Sequence, residues 1–231
     1  MKALRLKLYQ ETACYKKPFA FKVAETYPLP PHSTVKGMLH ALLEAKELIP
    51  MRISIQGRSD ALLNDYQTHY FFKKANTNEF ALILDGLEME RAYQDITTMP
   101  IYSHMLYHVE LLIHVHADEA ILQEIVKRME CNPTHLSLGR WEDLVRLDEY
   151  EIVNIVQAED DLEDLPYDAY IPEQAIGDTP YFPYQLNWTY RVVQGVRVWD
   201  KLRVGYVNAG SHLAAADHLY VDAVGHPVFL P

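Results

Sequence analysis

Residues 30–43 read PPHSTVKGMLHALL, and this stretch decides how the first half of the chain is organised. Its apolar residues recur at the three- and four-residue spacing of a helix that buries one face, and they are Val35, Met38, Leu39, Leu42 and Leu43. The two prolines restrict the backbone before the helix to extended conformations. Ser33 or His32 can cap its start, and Pro50 lies just beyond its end.

Strands are predicted on both sides of this helix. Residues 3–9 alternate apolar and polar side chains, and residues 51–56 form a second short strand. Alternation over residues 107–115 predicts a third strand, and an apolar stripe after Asp118 predicts a second helix that ends at Asn132-Pro133. Residues 136–140 predict a final strand edge that runs into a glycine turn. The order is the βαββαβ order of an α+β, ferredoxin-like fold.

Two further regions extend this plan. Residues 59–100 predict an inserted β-hairpin, with strands over 70–74 and 80–84 around a polar tip. Residues 148–168 carry nine acidic residues and no Lys or Arg, which predicts a solvated loop, a surface for a basic neighbouring subunit, or a mimic of nucleic acid. From Glu159 into the proline-containing segment 166–183 we expect a linker or exposed loop. Alternation over 185–207 predicts a small β-rich part. We therefore expect a domain over residues 1–150 that contains the insertion, and an acidic linker with a β-rich region over 151–231.

Composition limits the class of protein. Hydrophobic residues make up 49% of the chain and charged residues 23%, as in ordinary globular proteins. Because no apolar run approaches the roughly 20 residues of a membrane span, we expect no membrane partner. The only cysteines are Cys14 and Cys131, which fits a reducing, cytoplasmic location and excludes a zinc site built on cysteines. No metal or cofactor is expected.

Charge is distributed unevenly along the chain. The net charge is −11, yet residues 1–75 sum to +6 and residues 76–231 to −17. We call residues 1–75 the basic front. A basic segment in an otherwise acidic protein can give one face of the protein an affinity for phosphate. Chance clustering of lysines is the alternative.

Two motifs carry a family resemblance. They are ETYPLPPHSTVKGML at residues 25–39 and LGRWEDL at residues 138–144. Together, on a ferredoxin-like pattern, they resemble the Cas-five family of the CRISPR-associated RAMP superfamily, closest to type I-B systems. The resemblance is good over residues 1–150 and looser beyond them. Family members often have a charged residue where this chain has Trp141.

The resemblance implies a role in antiviral defence. A subunit of this kind sits at one end of a type I Cascade surveillance complex and holds the 5′ handle of the CRISPR RNA. Its hairpin arm, or thumb, displaces a base near the junction of handle and spacer. The implied partners are CRISPR RNA, the first backbone RAMP subunit, the large subunit, and target DNA within the complex.

The residues themselves suggest where RNA would be contacted. A helix N-terminus offers free N–H groups to phosphate, and lysines beside aromatic rings suit single-stranded RNA. Glycine permits close backbone approach, and the planar guanidinium of arginine fits a phosphate or a base edge. The RNA-binding candidates are Lys16, Lys17, Ser33, Thr34, Lys36, His40, Lys73, Lys74, Gly139, Arg140 and Trp141.

Each candidate also has a plain structural interpretation. Ser33 can simply cap the helix, and the lysine pairs can be solvated or can protect a strand edge from aggregation. Arg140 can form an ion pair with Glu142 or Asp143.

Catalysis is not expected. Some relatives of another subtype cut precursor RNA without metal, through Tyr, Lys and His side chains, and this chain has 11 histidines, including His32 and His40 near the helix start. The alternatives to an RNA-binding subunit are therefore a metal-independent endoribonuclease and a purely structural assembly subunit. His108, His114 and His116 have a spacing that can ligate zinc, but a polar sheet face explains them better.

Overall fold

The computed structural model describes residues 1–20, 23–72, 96–131, 135–215 and 219–231. Its elements in chain order are β1 (Lys2–Ala13), β2 (Val23–Ala24), α1 (His32–Leu42), β3 (Arg52–Arg58), β4 (Ala61–Phe72), β5 (Ile96–His116), α2 (Glu119–Glu130), β6 (Arg146–Gln157), β7 (Asp168–Pro172), the 3₁₀ helix η1 (Glu173–Ala175), β8 (Phe182–Val193), β9 (Val196–Val207), β10 (Leu219–Asp222) and β11 (Pro227–Phe229). The class is α+β, as predicted. Within these ranges no helix is both long and apolar enough to cross a membrane.

One sheet with almost entirely antiparallel pairing organises the described chain. Its order is β11-β10-β6-β1-β5-β3-β7-β9-β8, with β4 and β2 paired to β5. β1 lies between β5 and β6, so that Leu6 is opposite Ile113 on one side and Tyr150 on the other. Burial alternates only in part as the sequence predicted for residues 3–9: Leu6 and Leu8 are buried and Lys7 and Tyr9 are partly exposed, but residues 3–6 are all buried.

The two helices contribute their apolar stripes to the main core. Val35 and Leu39 of α1 and Leu122 and Ile125 of α2 are fully buried there. The predicted cap of α1 is wrong, because the helix begins at His32 and Pro31 occupies the cap position without a side-chain hydrogen bond. Proline fixes the required backbone angle, so the helix starts without a capping hydroxyl.

The strand that follows α2 lies later than predicted. Residues 136–140 form no strand of the sheet, and their only strand-like pairing is an isolated bridge between Ser137 and Leu144. The strand beside β1 is β6, which contains the first half of the acidic stretch. The acidic residues there do not indicate a loop, because several of them pair with cations of β1. The linker predicted from Glu159 into the segment 166–183 is also wrong in part, since residues 168–172 form the largely buried strand β7.

The β-hairpin predicted over residues 59–100 begins near the expected position, with β4 starting at Ala61. β4 and β5 pair antiparallel from Ala61 opposite Tyr107 to Phe72 opposite Ile96. The proposed tip, the strand over 80–84, Lys73 and Lys74 lie outside the described residues. The predicted β-rich part is confirmed as the β8–β9 hairpin, in which Tyr190 is opposite Trp199.

Candidate nucleic-acid interface

The loop over residues 138–144 is tightly braced. Gly139 has φ +111°, and an added Cβ would lie 2.8 Å from Oδ2 of Asp143, so this position requires glycine. The buried Asp143 carboxylate accepts hydrogen bonds from the backbone N–H groups of Cys14 at 3.0 Å and Arg140 at 2.8 Å. Gln10 also donates its side-chain amide to the carbonyls of Leu138 and Asp143. The loop is therefore fixed to the end of β1.

The side chains of this loop divide into a paired arginine and a free aromatic ring. Arg140 bonds Asp143 at 2.7 Å and Glu142 at 3.1 Å, which is the structural alternative that the sequence left open. Trp141 is 85% exposed at the tip. Of the three residues predicted here, Trp141 is the side chain that the loop presents to solvent.

A second group of candidates lies on the loop after β1. Lys16 is exposed and pairs through its backbone with Thr26, while Lys17 bonds Glu25 at 3.3 Å. Phe19 is 89% exposed. Lys17 also borders a cavity of ≈ 440 Å³, whose other polar and aromatic lining includes Glu25, Thr26, His104, Phe182, Tyr184 and Tyr206.

The histidines of α1 have structural partners or are buried. Nδ1 of His40 lies 2.7 Å from the carbonyl of Lys36, and Nε2 accepts the N–H of Ile49 at 2.9 Å, which ties the helix to the turn after it. His32 is 1% exposed, and burial lowers its pKa to about 3. Both ring nitrogens of His40 therefore have backbone partners, and His32 is neutral at pH 7.

Lys36 is the unexpected member of the helix. It is 6% exposed, although the sequence placed it on the polar face. Its Nζ lies 3.2 Å from the centre of the Trp188 ring and donates to the Trp188 carbonyl at 3.3 Å. Burial lowers the pKa of Lys36 to about 8, because no described carboxylate offsets the loss of water.

A cavity of ≈ 260 Å³ separates α1 from the β8–β9 hairpin. Ser33, Lys36 and His40 line it from the helix, so three predicted residues meet here, whereas Thr34 is not among the lining residues. Sequence reasoning missed the hairpin side, which supplies Trp188, Tyr190, Arg197 and Trp199. Residues 182–207 sum to +3 within the acidic second half, and this local charge was the available signal.

The three histidines considered for zinc have separate partners. His114 is buried against Asp222, His116 bonds the carbonyl of Lys2, and His108 bonds Asp60. Among the described residues no group of three or more His, Cys, Asp or Glu side chains could hold a metal ion.

Comparison with known proteins gives the family. The family model described as CRISPR-associated protein (Cas_Cas5) matches residues 3–205. The chain belongs to this CRISPR-associated family, as the two motifs suggested. No curated protein matches it.

Three solved structures from CRISPR systems match the chain. A chain of a "CRISPR RNA-guided surveillance complex" is 15% identical, with a TM-score of 0.57 over 90% of this chain and 91% of that one. A CRISPR protein from Archaeoglobus fulgidus is 10% identical, with a TM-score of 0.48 over 100% and 99% of the two chains. A chain of the type III-B Cmr-beta complex, bound to target RNA and AMPPnP, is 12% identical with a TM-score of 0.45, over 93% and 86%. The first of these shows a shared fold.

Proposed function

We propose that this protein is the guide-RNA-binding subunit of a type I Cascade surveillance complex, closest to type I-B, and that it holds the 5′ handle of the CRISPR RNA without cutting it. The family match over residues 3–205 carries this proposal. The partners would be CRISPR RNA, the backbone RAMP subunit, the large subunit and target DNA, in the cytoplasm.

The geometry of the described residues supports RNA contact at two places. Lys16, Lys17, Phe19 and Trp141 extend from loops that follow or contact the end of β1, and two of these side chains are aromatic rings more than four-fifths exposed. Such rings beside cations suit the bases and phosphates of single-stranded RNA. The buried state of His32 and the engaged ring of His40 support a role without catalysis.

A binding assay with end-labelled RNA tests this proposal. The probe is one repeat–spacer transcript from the host's CRISPR array, with EDTA present, and the competitor lacks the repeat-derived 5′ segment. We expect Lys16→Ala with Lys17→Ala to weaken binding by about tenfold, a typical loss for one or two phosphate contacts. Lys2→Ala with Lys127→Ala is the matched control, since both of these exposed lysines pair with a glutamate as Lys17 does. If the RNA content of the assembled complex is the same in both double variants, Lys16 and Lys17 do not hold RNA. If it is also unchanged when Lys16, Lys17, Lys36 and Arg140 are all replaced, the subunit is structural only.

One observation favours the endoribonuclease alternative. Lys17, His104 and Tyr184 line the same cavity of ≈ 440 Å³, and these are the side-chain types that metal-independent cleavage uses. Tyr206 lines this cavity as well, and its hydroxyl donates a hydrogen bond to Asp168. Burial together with that bond raises the pKa of Tyr206 well above the usual range. On denaturing gels a nuclease would give shortened RNA of defined length that His104→Ala abolishes, whereas the leading proposal expects intact RNA.

We also propose that the central strands form a ferredoxin-like sheet. The order β6-β1-β5-β3, with α1 joining β1 to β3 and α2 joining β5 to β6, supports this description. The division into domains at residues 150 and 151 stays a prediction, and it falls within β6.

A further inference from the structure

The cavity between α1 and the β8–β9 hairpin has an unusual lining. Three cations border it, Lys36, Lys46 and Arg197, against one carboxylate, Glu47. None of the three cations has an ion pair with a described carboxylate. Most of the other described cations have a carboxylate partner, and the exceptions are Lys16, Arg52, Lys201 and Arg203. The cavity therefore gathers three of the described cations that no carboxylate neutralises.

Trp188, Tyr190 and Trp199 of the hairpin line the same cavity. Tyr190 and Trp199 are directly opposite in the register, with ring centres 5.4 Å apart in an edge-on contact. The Arg197 guanidinium lies 4.6 Å from the Tyr190 ring centre on the same side. Trp199 is partly buried and lines the cavity, and among the described contacts no cation lies on its ring.

The position of Lys36 argues for an absent anion. A buried ammonium normally has a carboxylate or several acceptors, because an unpaired buried charge is costly. Lys36 has one carbonyl acceptor and one aromatic ring, both from Trp188. An anion in the cavity would supply the missing charge.

Size and chemistry together select the occupant. The volume of ≈ 260 Å³ is slightly below the roughly 300–1,000 Å³ typical of small-ligand sites and suits one nucleotide. Cations for a phosphate and open aromatic faces for a base are the two requirements of single-stranded RNA binding.

We propose that the cavity between α1 and the β8–β9 hairpin seats one nucleotide of single-stranded RNA, with its phosphate at Lys36 and Arg197 and its base against Trp199. The inference rests on the proposed function and adds a second contact site, on the C-terminal part of the chain. The phosphate bridges the helix and the hairpin, so bound RNA ties the two elements together.

Tryptophan fluorescence reports on this cavity directly. The chain has three tryptophans, so Trp141→Phe leaves only Trp188 and Trp199, and both line the cavity. All measurements use this background and the same repeat–spacer RNA, with affinity measured separately on gels. We expect RNA to quench the fluorescence in parallel with binding, since a stacked base quenches indole.

Two arginines of one hairpin provide the matched variants. Arg197→Ala should weaken RNA binding by about tenfold and reduce the quenching. Arg191 lies on the opposite face of the hairpin and pairs with Asp200 at 3.6 Å, so Arg191→Ala should change neither value. In a second pair of variants, Trp199→Ala is the test and Val198→Ala is its matched control.

The outcomes separate this inference from the proposed function. The nucleotide site is overturned if RNA binds tightly without quenching the fluorescence and if Arg197→Ala and Arg191→Ala bind RNA with equal affinity. The proposed function would still stand in that case. Fluorescence that changes on assembly with the other subunits before RNA is added assigns the cavity to a protein partner, which also overturns it. If neither the free chain nor the assembled complex retains RNA, both proposals fail.

Discussion

Two buried cations of this protein have opposite surroundings. Arg5 in β1 is 4% exposed and Lys36 in α1 is 6% exposed. Arg5 bonds Asp222 and Glu151 at 2.9 Å each and also contacts Glu149, whereas Lys36 meets only Trp188. Two equally buried cations can therefore have different roles. The charge of Arg5 is paired within the fold, whereas the charge of Lys36 is available to a bound phosphate.

The comparison corrects how the charge of the sequence is understood. Part of the basic front predicted for residues 1–75 is neutralised in the folded chain, since Arg5 and Lys7 face Glu149, and Arg58 faces Glu110. These pairs join residues that are 52 to 144 positions apart. A running sum along the chain cannot detect them, because it counts charges without knowing which strands become neighbours.

The largest expected effect is on the paired cation. Arg5→Met removes the guanidinium partner of the buried Asp222. Burial alone would raise the pKa of Asp222, but the hydrogen bonds from Arg5 and from two backbone N–H groups lower it well below the usual range. Loss of the cation beside this buried carboxylate should reduce the free energy of unfolding by about 3–5 kcal/mol, measured by urea denaturation. Adding Asp222→Asn should restore part of the loss. A decrease below about 1 kcal/mol would show that the network is not a major source of stability.

Replacement of Lys36 by Met should change the free energy of unfolding in the opposite direction to Arg5→Met. The pKa of Lys36, lowered from 10.5 to about 8, corresponds to about 3 kcal/mol spent on keeping it charged at neutral pH. Lys36→Met should therefore increase the free energy of unfolding by about 1–3 kcal/mol at pH 7 while weakening RNA binding.

The sign of this effect depends on pH. Between about pH 8 and 10.5 the unfolded chain binds a proton at Lys36 that the folded chain has lost, so wild-type stability rises with pH and the advantage of Met shrinks. A loss of stability in Lys36→Met at pH 7 would instead mean that Lys36 serves the fold, as Arg5 does.

RNA binding should also depend on the protonation of Lys36. Below about pH 8 the ammonium can pair with a phosphate, and above it we expect the affinity to fall by up to about tenfold by pH 9.5, on filter-binding measurement. The other titratable or charged groups that face this cavity are His32, His40, Lys46, Glu47, Tyr190 and Arg197. Lys36→Arg isolates Lys36 among them, because a guanidinium stays protonated over this range, and its affinity should be flat. The same fall with pH in Lys36→Arg would assign the titration to another group.

The smallest effect on stability is expected for Lys7, a partly exposed lysine that shares Glu149 with Arg5. Lys7 bonds Glu149 at 2.7 Å, but both side chains are about a third or more exposed. Lys7→Ala should lower the free energy of unfolding by less than about 1 kcal/mol and should leave RNA affinity unchanged. A measurable loss of RNA in this variant would extend the binding surface to β1.

Local patterns in the sequence predicted local structure well. The stripe of Val35 and Leu39, the alternation of β1 and the hairpin around Trp188 are all present, because each depends on neighbours within a few residues. β6 was missed because its acidic residues match distant cations, and the cavity was missed because Lys36 and Trp188 are 152 positions apart. The candidate site therefore depends on contacts that only the folded chain brings together.

The sheet order has a consequence for synthesis on the ribosome. One edge of β3 pairs with β7, which begins about 110 residues after β3 ends. At roughly 5–20 residues per second, the backbone groups of that edge wait roughly 5–20 s for their partner to be made. An unpaired strand edge can pair with another chain during this interval. Slower translation of residues 59–167 should therefore lower the yield of native protein even though the finished sequence is unchanged.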